Sequence, residues 1–131
     1  MTGSTYLDFD GVRRPLDGID FSCEEAIATA EKRWPLKGYC VVEDWTIFRA
    51  QLSAEELTRV SGAGHLPLFA FAHKVVEDSK CRFQSGDWVR SSMCISYGGD
   101  GFFETKNTVY ILMGAGHEQS ASLKTIFSFF Q

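Results

Sequence analysis

The sequence predicts an α+β fold: a bent antiparallel sheet, or a partly open barrel, of about five strands, with one long N-terminal helix and one short helix packed on it. Three observations predict this. Between Phe83 and Gly116, runs rich in β-branched and aromatic residues are separated by Ser85-Gly86, by Gly98-Gly99-Asp100-Gly101 and by Gly114-Ala115-Gly116, the pattern of short consecutive strands. Between Phe21 and Trp34, apolar residues recur at helical spacing. The chain has 131 residues, 44% of them apolar, which suits one domain with a core of its own. The expected organisation is a single domain over 1–131: an extended or turning lead-in over 1–20, then a core over 21–131.

The lead-in holds Tyr6-Leu7-Asp8-Phe9-Asp10-Gly11-Val12. The Asp-x-Asp-Gly order resembles the first motif of haloacid-dehalogenase phosphatases. That resemblance implies a nucleophilic aspartate, an acid/base aspartate and bound magnesium. It covers seven residues. The simpler reading is a tight turn at Asp10-Gly11, where glycine accepts positive φ.

The first helix is read over Phe21 to Trp34. Ser22 is its N-cap and Glu25, three residues on, completes a capping box. Cys23, Ala26, Ile27, Ala30 and Trp34 form one apolar stripe, and Pro35 stops the helix. Gly38 to Glu43 reads as a buried strand that continues, or turns a corner, through Asp44 to Ala50. Trp45 and Phe48 differ in phase there, so one ring is expected to face solvent. A second, short helix starts at Ser53, with Glu56 closing another capping box and Leu52 and Leu57 placed as a hydrophobic staple. Gly62 and Gly64 end it.

Leu68 to Glu77 reads as a long strand, with Phe69, Phe71, His73 and Val75 on one face. Asp87 to Tyr97 reads as the next, with Val89, Met93, Ile95 and Tyr97 on one face and Trp88, Arg90, Ser92, Cys94 and Ser96 on the other. Gly98 to Gly101 closes a hairpin. Thr108 to Met113 is apolar on both faces, as a central strand is. Gly114-Ala115-Gly116 turns the chain, and His117 to Ala121 is at best a polar edge strand. Leu123, Ile126, Phe127 and Phe130 then recur at helical spacing and should plug one end of the sheet.

The formal charge is −4, which opposes non-specific attachment to nucleic acid or to an anionic membrane and permits a basic protein partner. No apolar run approaches the ~18 residues of a membrane span. Met1 to Thr5 lacks the order of a signal peptide, so the expected location is cytoplasmic. The four cysteines, Cys23, Cys40, Cys81 and Cys94, include no C-x-x-C pair. An even count is compatible with two disulfides; a reducing compartment and an adequate core favour free thiols. No metal site and no cofactor are expected.

A nucleophile set can be drawn from Cys94, His73 and Asp87, since neighbouring strands could bring thiol and imidazole together. No nucleophile elbow accompanies it, and no helix N-terminus aims at Cys94 to lower its pKa. The glycine-rich pieces lack the lysine of a phosphate loop and read as turns. The stronger candidates are contact residues: Trp88 and Arg90, with Asp87, Asp100, Glu104, Lys106 and Asn107 on adjoining turns. Tryptophan and arginine dominate interface hot spots. The competing reading of Trp88 is that it packs under the first helix.

Phe83-Gln84, Gly86-Asp87-Trp88-Val89-Arg90-Ser91-Ser92 and Phe103-Glu104-Thr105-Lys106-Asn107-Thr108-Val109-Tyr110-Ile111-Leu112, with Glu24-Glu25-Ala26-Ile27 and Arg33-Trp34-Pro35, carry a resemblance. The chain resembles a small uncharacterised bacterial family found in proteobacterial genomes and mobile elements. The Gly86 to Arg90 strand start is also similar to small SH3-like barrels. The first resemblance supplies no activity and no site residue; the mobile-element setting implies an inhibitor, immunity or anti-defence protein. The sequence is therefore read as a non-enzymatic, acidic protein-binding module. Alternatives are a small hydrolase centred on Asp8/Asp10 or Cys94/His73, and a nucleic-acid binder using Arg90, Lys106 and Lys124.

Overall fold

The computed structural model describes residues 9–128, with side chains from Arg13 onward. Its elements in order are β1 (Phe9–Asp17), α1 (Cys23–Arg33), β2 (Gly38–Gln51), α2 (Ala54–Gly62), β3 (Leu68–Asp78), β4 (Val89–Arg90), β5 (Cys94–Tyr97), β6 (Phe102–Thr105), β7 (Thr108–Leu112), β8 (Ala115–Ser122) and α3 (Leu123–Ser128). The α+β class is as expected. The sheet has eight strands among the described residues rather than about five, and it is mixed rather than antiparallel. The lead-in contributes β1, which pairs with β8, so part of it belongs to the sheet. At Asp10 the chain does not turn back: Asp10 opposes Ser120 and Arg14 opposes Glu118, with a bulge between.

β2 is the axis. One edge pairs antiparallel with β3 over Cys40 to Arg49. The other edge is shared: Gly38–Val42 pair in parallel with β7, and Thr46–Gln51 pair in parallel with β8. The order is β1-β8-β2-β7-β6-β5, with β3 and then β4 on the opposite flank of β2. The sheet curls into a half-barrel, and an antiparallel bridge from Leu66 to Cys94 draws β5 back toward the start of β3.

Side chains explain the curl. Inside it, Cys40, Val42, Trp45, Ile47, Leu68, Ala70, Ala72, Val75, Val89, Cys94, Phe103, Tyr110 and Leu112 form one buried cluster, supplied by strands alone. Outside, α1 lays Ala26 and Ala30 on Val41, Val109 and Ile111. At the other end α3 lays Ile126 on Phe48, Phe69 and Ala121. Trp45 and Phe48 do differ in phase, yet both are buried, because the strand is covered on both faces.

The phase itself slips once. In β2 the inward residues Val42 and Trp45 are three apart, and in β3 so are Ala72 and Val75. Asp44, between the first pair, has φ 55°, in the left-handed region. This corrects the expected face of β3: Val75 points inward, while Phe69 and Phe71 pack on the outer side.

Both helices start as read, with Ser22 and Ser53 capping and Glu25 and Glu56 bonding back. The expected long N-terminal helix is corrected: α1 has only 11 residues, two more than α2, because Pro35 and the start of β2 at Gly38 cut it short, and α3 is a third, short helix at the C-terminal end. Two strand readings are corrected. Asp87 to Tyr97 breaks into β4 and β5, and the break at Ser91 to Met93 puts Val89 and Cys94 on the same, inner side. The stretch read as a polar edge strand is β8, a central strand between β1 and β2. Gly114 does not reverse the chain; β7 and β8 run in the same direction, both parallel to β2.

Candidate aromatic interface

The segment between β3 and β4 is held by two carboxylates, Asp78 at its start and Asp87 at its end. Asp78, whose side chain is 0% exposed, accepts from the Arg82 amide (2.7 Å), Arg82 Nε (3.1 Å) and the Phe83 amide (3.3 Å) at Oδ2, and from Arg82 Nη2 (2.9 Å) at Oδ1. Burial opposes its ionisation, but these hydrogen bonds outweigh burial and hold the carboxyl below its ordinary value. Further on, the Gln84 amide donates to Asp87 Oδ2 at 2.9 Å, and backbone bonds tie Gly86 and Asp87 to Val75. Asp87 thus positions the turn that precedes Trp88.

That turn sets Trp88 on the outer side of β3. The Trp88 ring lies 5.9 Å from Phe71, whose other neighbours are His73 edge-on at 5.0 Å and Phe48 at 6.5 Å. Arg90 pairs directly opposite Phe71 across β4 and β3, so both side chains leave the sheet on one face. The Arg90 guanidinium carbon is 4.5 Å from the centroid of Phe127 on α3, and Phe127 meets Phe69 edge-on at 5.5 Å. Burial draws the Arg90 pKa down. Trp88 and Phe127 each remain 44% exposed. The result is a surface of rings, with Arg90 stacked on Phe127 and the exposed His73 edge-on to Phe71.

The structure brings Asp87, Trp88 and Arg90 together and sets the other four contact candidates elsewhere. Asp100 pairs with Arg33 of α1 at 3.1 Å and accepts from the Phe102 amide, which shapes the β5–β6 turn. Glu104 pairs with Lys37, which also donates to the Thr105 carbonyl at 2.8 Å. Lys106 and Asn107 are exposed on the β6–β7 turn. In the sheet, β3, β2 and β7 lie between β4 and β6. Trp88 does not pack under α1; Trp34 holds that place, 5.7 Å from Phe102 with Arg33 over it.

The catalytic candidates are separated as well. Cys94 lies in the interior cluster, and burial pushes its thiol up to about 12. His73 is exposed on the outer side of β3, and Asp87 is committed to its turn. Asp8 and the side chain of Asp10 lie outside the described residues. All four cysteines are free. Among the described residues no group of three or more His, Cys, Asp or Glu could hold a metal, and no helix is long and apolar enough to cross a membrane.

Sequence reasoning missed Phe71 and Phe127 as partners of Trp88 and Arg90. Phe71 was legible as a strand residue and Phe127 as part of a terminal helix. Only the pairing of β3 with β4, and the seat of α3, put them side by side.

A family profile matches residues 17–128, a span that includes every residue of this surface. The chain belongs to the family described as Domain of unknown function (DUF6957). This agrees with the expected membership of an uncharacterised family. No curated protein and no solved structure matches the chain.

Proposed function

We propose that this member of the DUF6957 family is a protein-binding module, and that it docks its partner on the surface built by Trp88, Phe71, Phe127 and Arg90. One observation carries the reading: two large rings, each 44% exposed, share one face with an arginine that is already stacked and partly dehydrated. Such residues lose little side-chain entropy on binding and bury much apolar area, which is why they dominate hot spots. The proposal extends to an inhibitor of the anti-defence or immunity type, acting by occupying its partner. Small size, acidity and the resemblance of the Trp88 and Glu104 stretches support that extension.

The test compares immobilised wild-type protein with Trp88→Ala and Arg90→Ala. A specific partner should be retained by the wild type and lost, by tenfold or more in Kd, from each variant. If every protein that binds is held equally by the variants, this surface is not the interface. A single-stranded oligonucleotide serves as the second arm: binding that requires Trp88 would reassign the surface to nucleic acid.

A further inference from the structure

A second site is built where β8 runs between β1 and β2. On β8, Glu118 is flanked by Arg14 of β1 and Arg49 of β2, and both guanidiniums donate to its carboxylate. The carboxylate is only 12% exposed, whereas the arginines are 67% and 50% exposed. Two guanidiniums against one carboxylate leave a net positive charge, in a chain whose formal charge is −4. Each arginine has five N–H donors in a fixed fork, so both keep donors for a further anion.

Arg49 also lines a groove of about 630 Å³, with Ala50, Gln51, Leu52, Leu57, Pro67 and Ser120. That volume falls within the range of small-ligand sites. Its polar groups are Arg49, Gln51 and Ser120; Arg49 pairs across from Ser120, two residues along β8 from Glu118, and Gln51 lies two residues further on. Its apolar wall comes from Leu52, Leu57 of α2 and Pro67. The Ala50 amide already bonds the Pro67 carbonyl at 2.8 Å, so this edge of β2 is closed there to an added peptide strand.

We infer that this groove binds a small aliphatic carboxylate, its head on Arg49 and its chain against Leu52, Leu57 and Pro67. Charge complementarity sets the head, and the apolar wall sets the tail. Glu118 positions the two guanidiniums and competes with the ligand's carboxylate for them.

The test titrates the full chain with octanoate, 1-octanol, and acetyl-dileucine carrying a free or an amidated end, followed by amide shifts in two-dimensional NMR. Octanoate should move the Gln51, Leu57 and Ser120 amides with Kd at or below about 1 mM, and octanol should not. Arg49→Gln and Leu57→Glu should each weaken octanoate at least tenfold. Glu118→Gln, which removes the competing charge, should tighten it about threefold, opposite in sign to a merely structural loss. Trp88→Ala should leave octanoate binding unchanged, which separates this site from the proposed protein interface. No localised shift, equal response to octanol, weakening by Glu118→Gln, or preference for the peptide carboxyl end would each overturn the assignment.

Discussion

Gly116 is the position where one added methyl group should cost most. It sits in β8 opposite Leu16, and its backbone needs no left-handed conformation. What it needs is space: a Cβ there would lie 2.3 Å from Trp45 Cδ2 and 2.5 Å from both Cε2 and Cε3. Those are atoms of a rigid ring that is 1% exposed and cannot swing aside. The indole also donates from Nε1 to the Met113 carbonyl at 3.1 Å, at the corner between β7 and β8. Gly18 closes on the same ring, where a Cβ would lie 2.9 Å from Trp45 Cζ2 and 2.3 Å from the Leu112 carbonyl. Gly116→Ala therefore displaces the ring and weakens its hydrogen bond. Overpacking of about 2 kcal/mol and a lost hydrogen bond of about 1 kcal/mol give about 3 kcal/mol. For a chain of this size that is about 10 °C in Tm. Urea unfolding followed by far-UV circular dichroism measures it. The double variant Gly116→Ala/Trp45→Phe should lose at least about 1 kcal/mol less than the sum of the single changes, because the smaller ring admits the methyl. A Gly116→Ala loss below about 1 kcal/mol, or simple additivity, would refute the idea that β7 and β8 are bent around this indole.

Asp78→Ala leaves the Arg82 and Phe83 amides without their acceptor, while the part-exposed Arg82 guanidinium keeps only its bond to Thr108; it should cost about 2–3 kcal/mol in urea unfolding, more than Asp78→Asn. Asp78 and Glu118 both have folded-state pKa values below their ordinary 3.8 and 4.5, so the stability they contribute is complete above those values. It is lost as the pH falls through the lowered folded values, and a pH series of unfolding midpoints should show that acid-side decline shrink in Asp78→Asn. Burial pushes the thiols of Cys40 and Cys94 up to about 12, so alkylation of the native protein at pH 8, read by mass spectrometry, should label exposed Cys81 first and leave those two until unfolding. Ser22→Ala and Ser53→Ala each remove a reciprocal cap and should cost about 1 kcal/mol in unfolding free energy.

Much of the local structure was legible in the residues themselves. The two capping boxes placed the starts of α1 and α2, because a serine and a glutamate three apart satisfy each other's backbone partners whatever lies around them. The unbroken apolar run from Thr108 marked a central strand, and β7 is buried at every residue. Trp88 and Arg90 stood out by side-chain type, and the structure sets them on one face.

What the sequence could not decide was which strands meet. Hydrophobic period reports which residues are covered, not by what, so a polar-looking stretch such as His117 to Ala121 read as an edge although β1 and β2 enclose it. The slip at Asp44, the parallel run of β7 and β8 beside β2, and the two arginines that share Glu118 all depend on pairings between residues far apart in the chain. So do the two proposed sites. Each is assembled from separate strands and a helix, and their side chains become neighbours only when the sheet has curled. Local propensity fixes the elements; register and curvature, set by ring packing around Trp45 in the core, decide which surfaces they make.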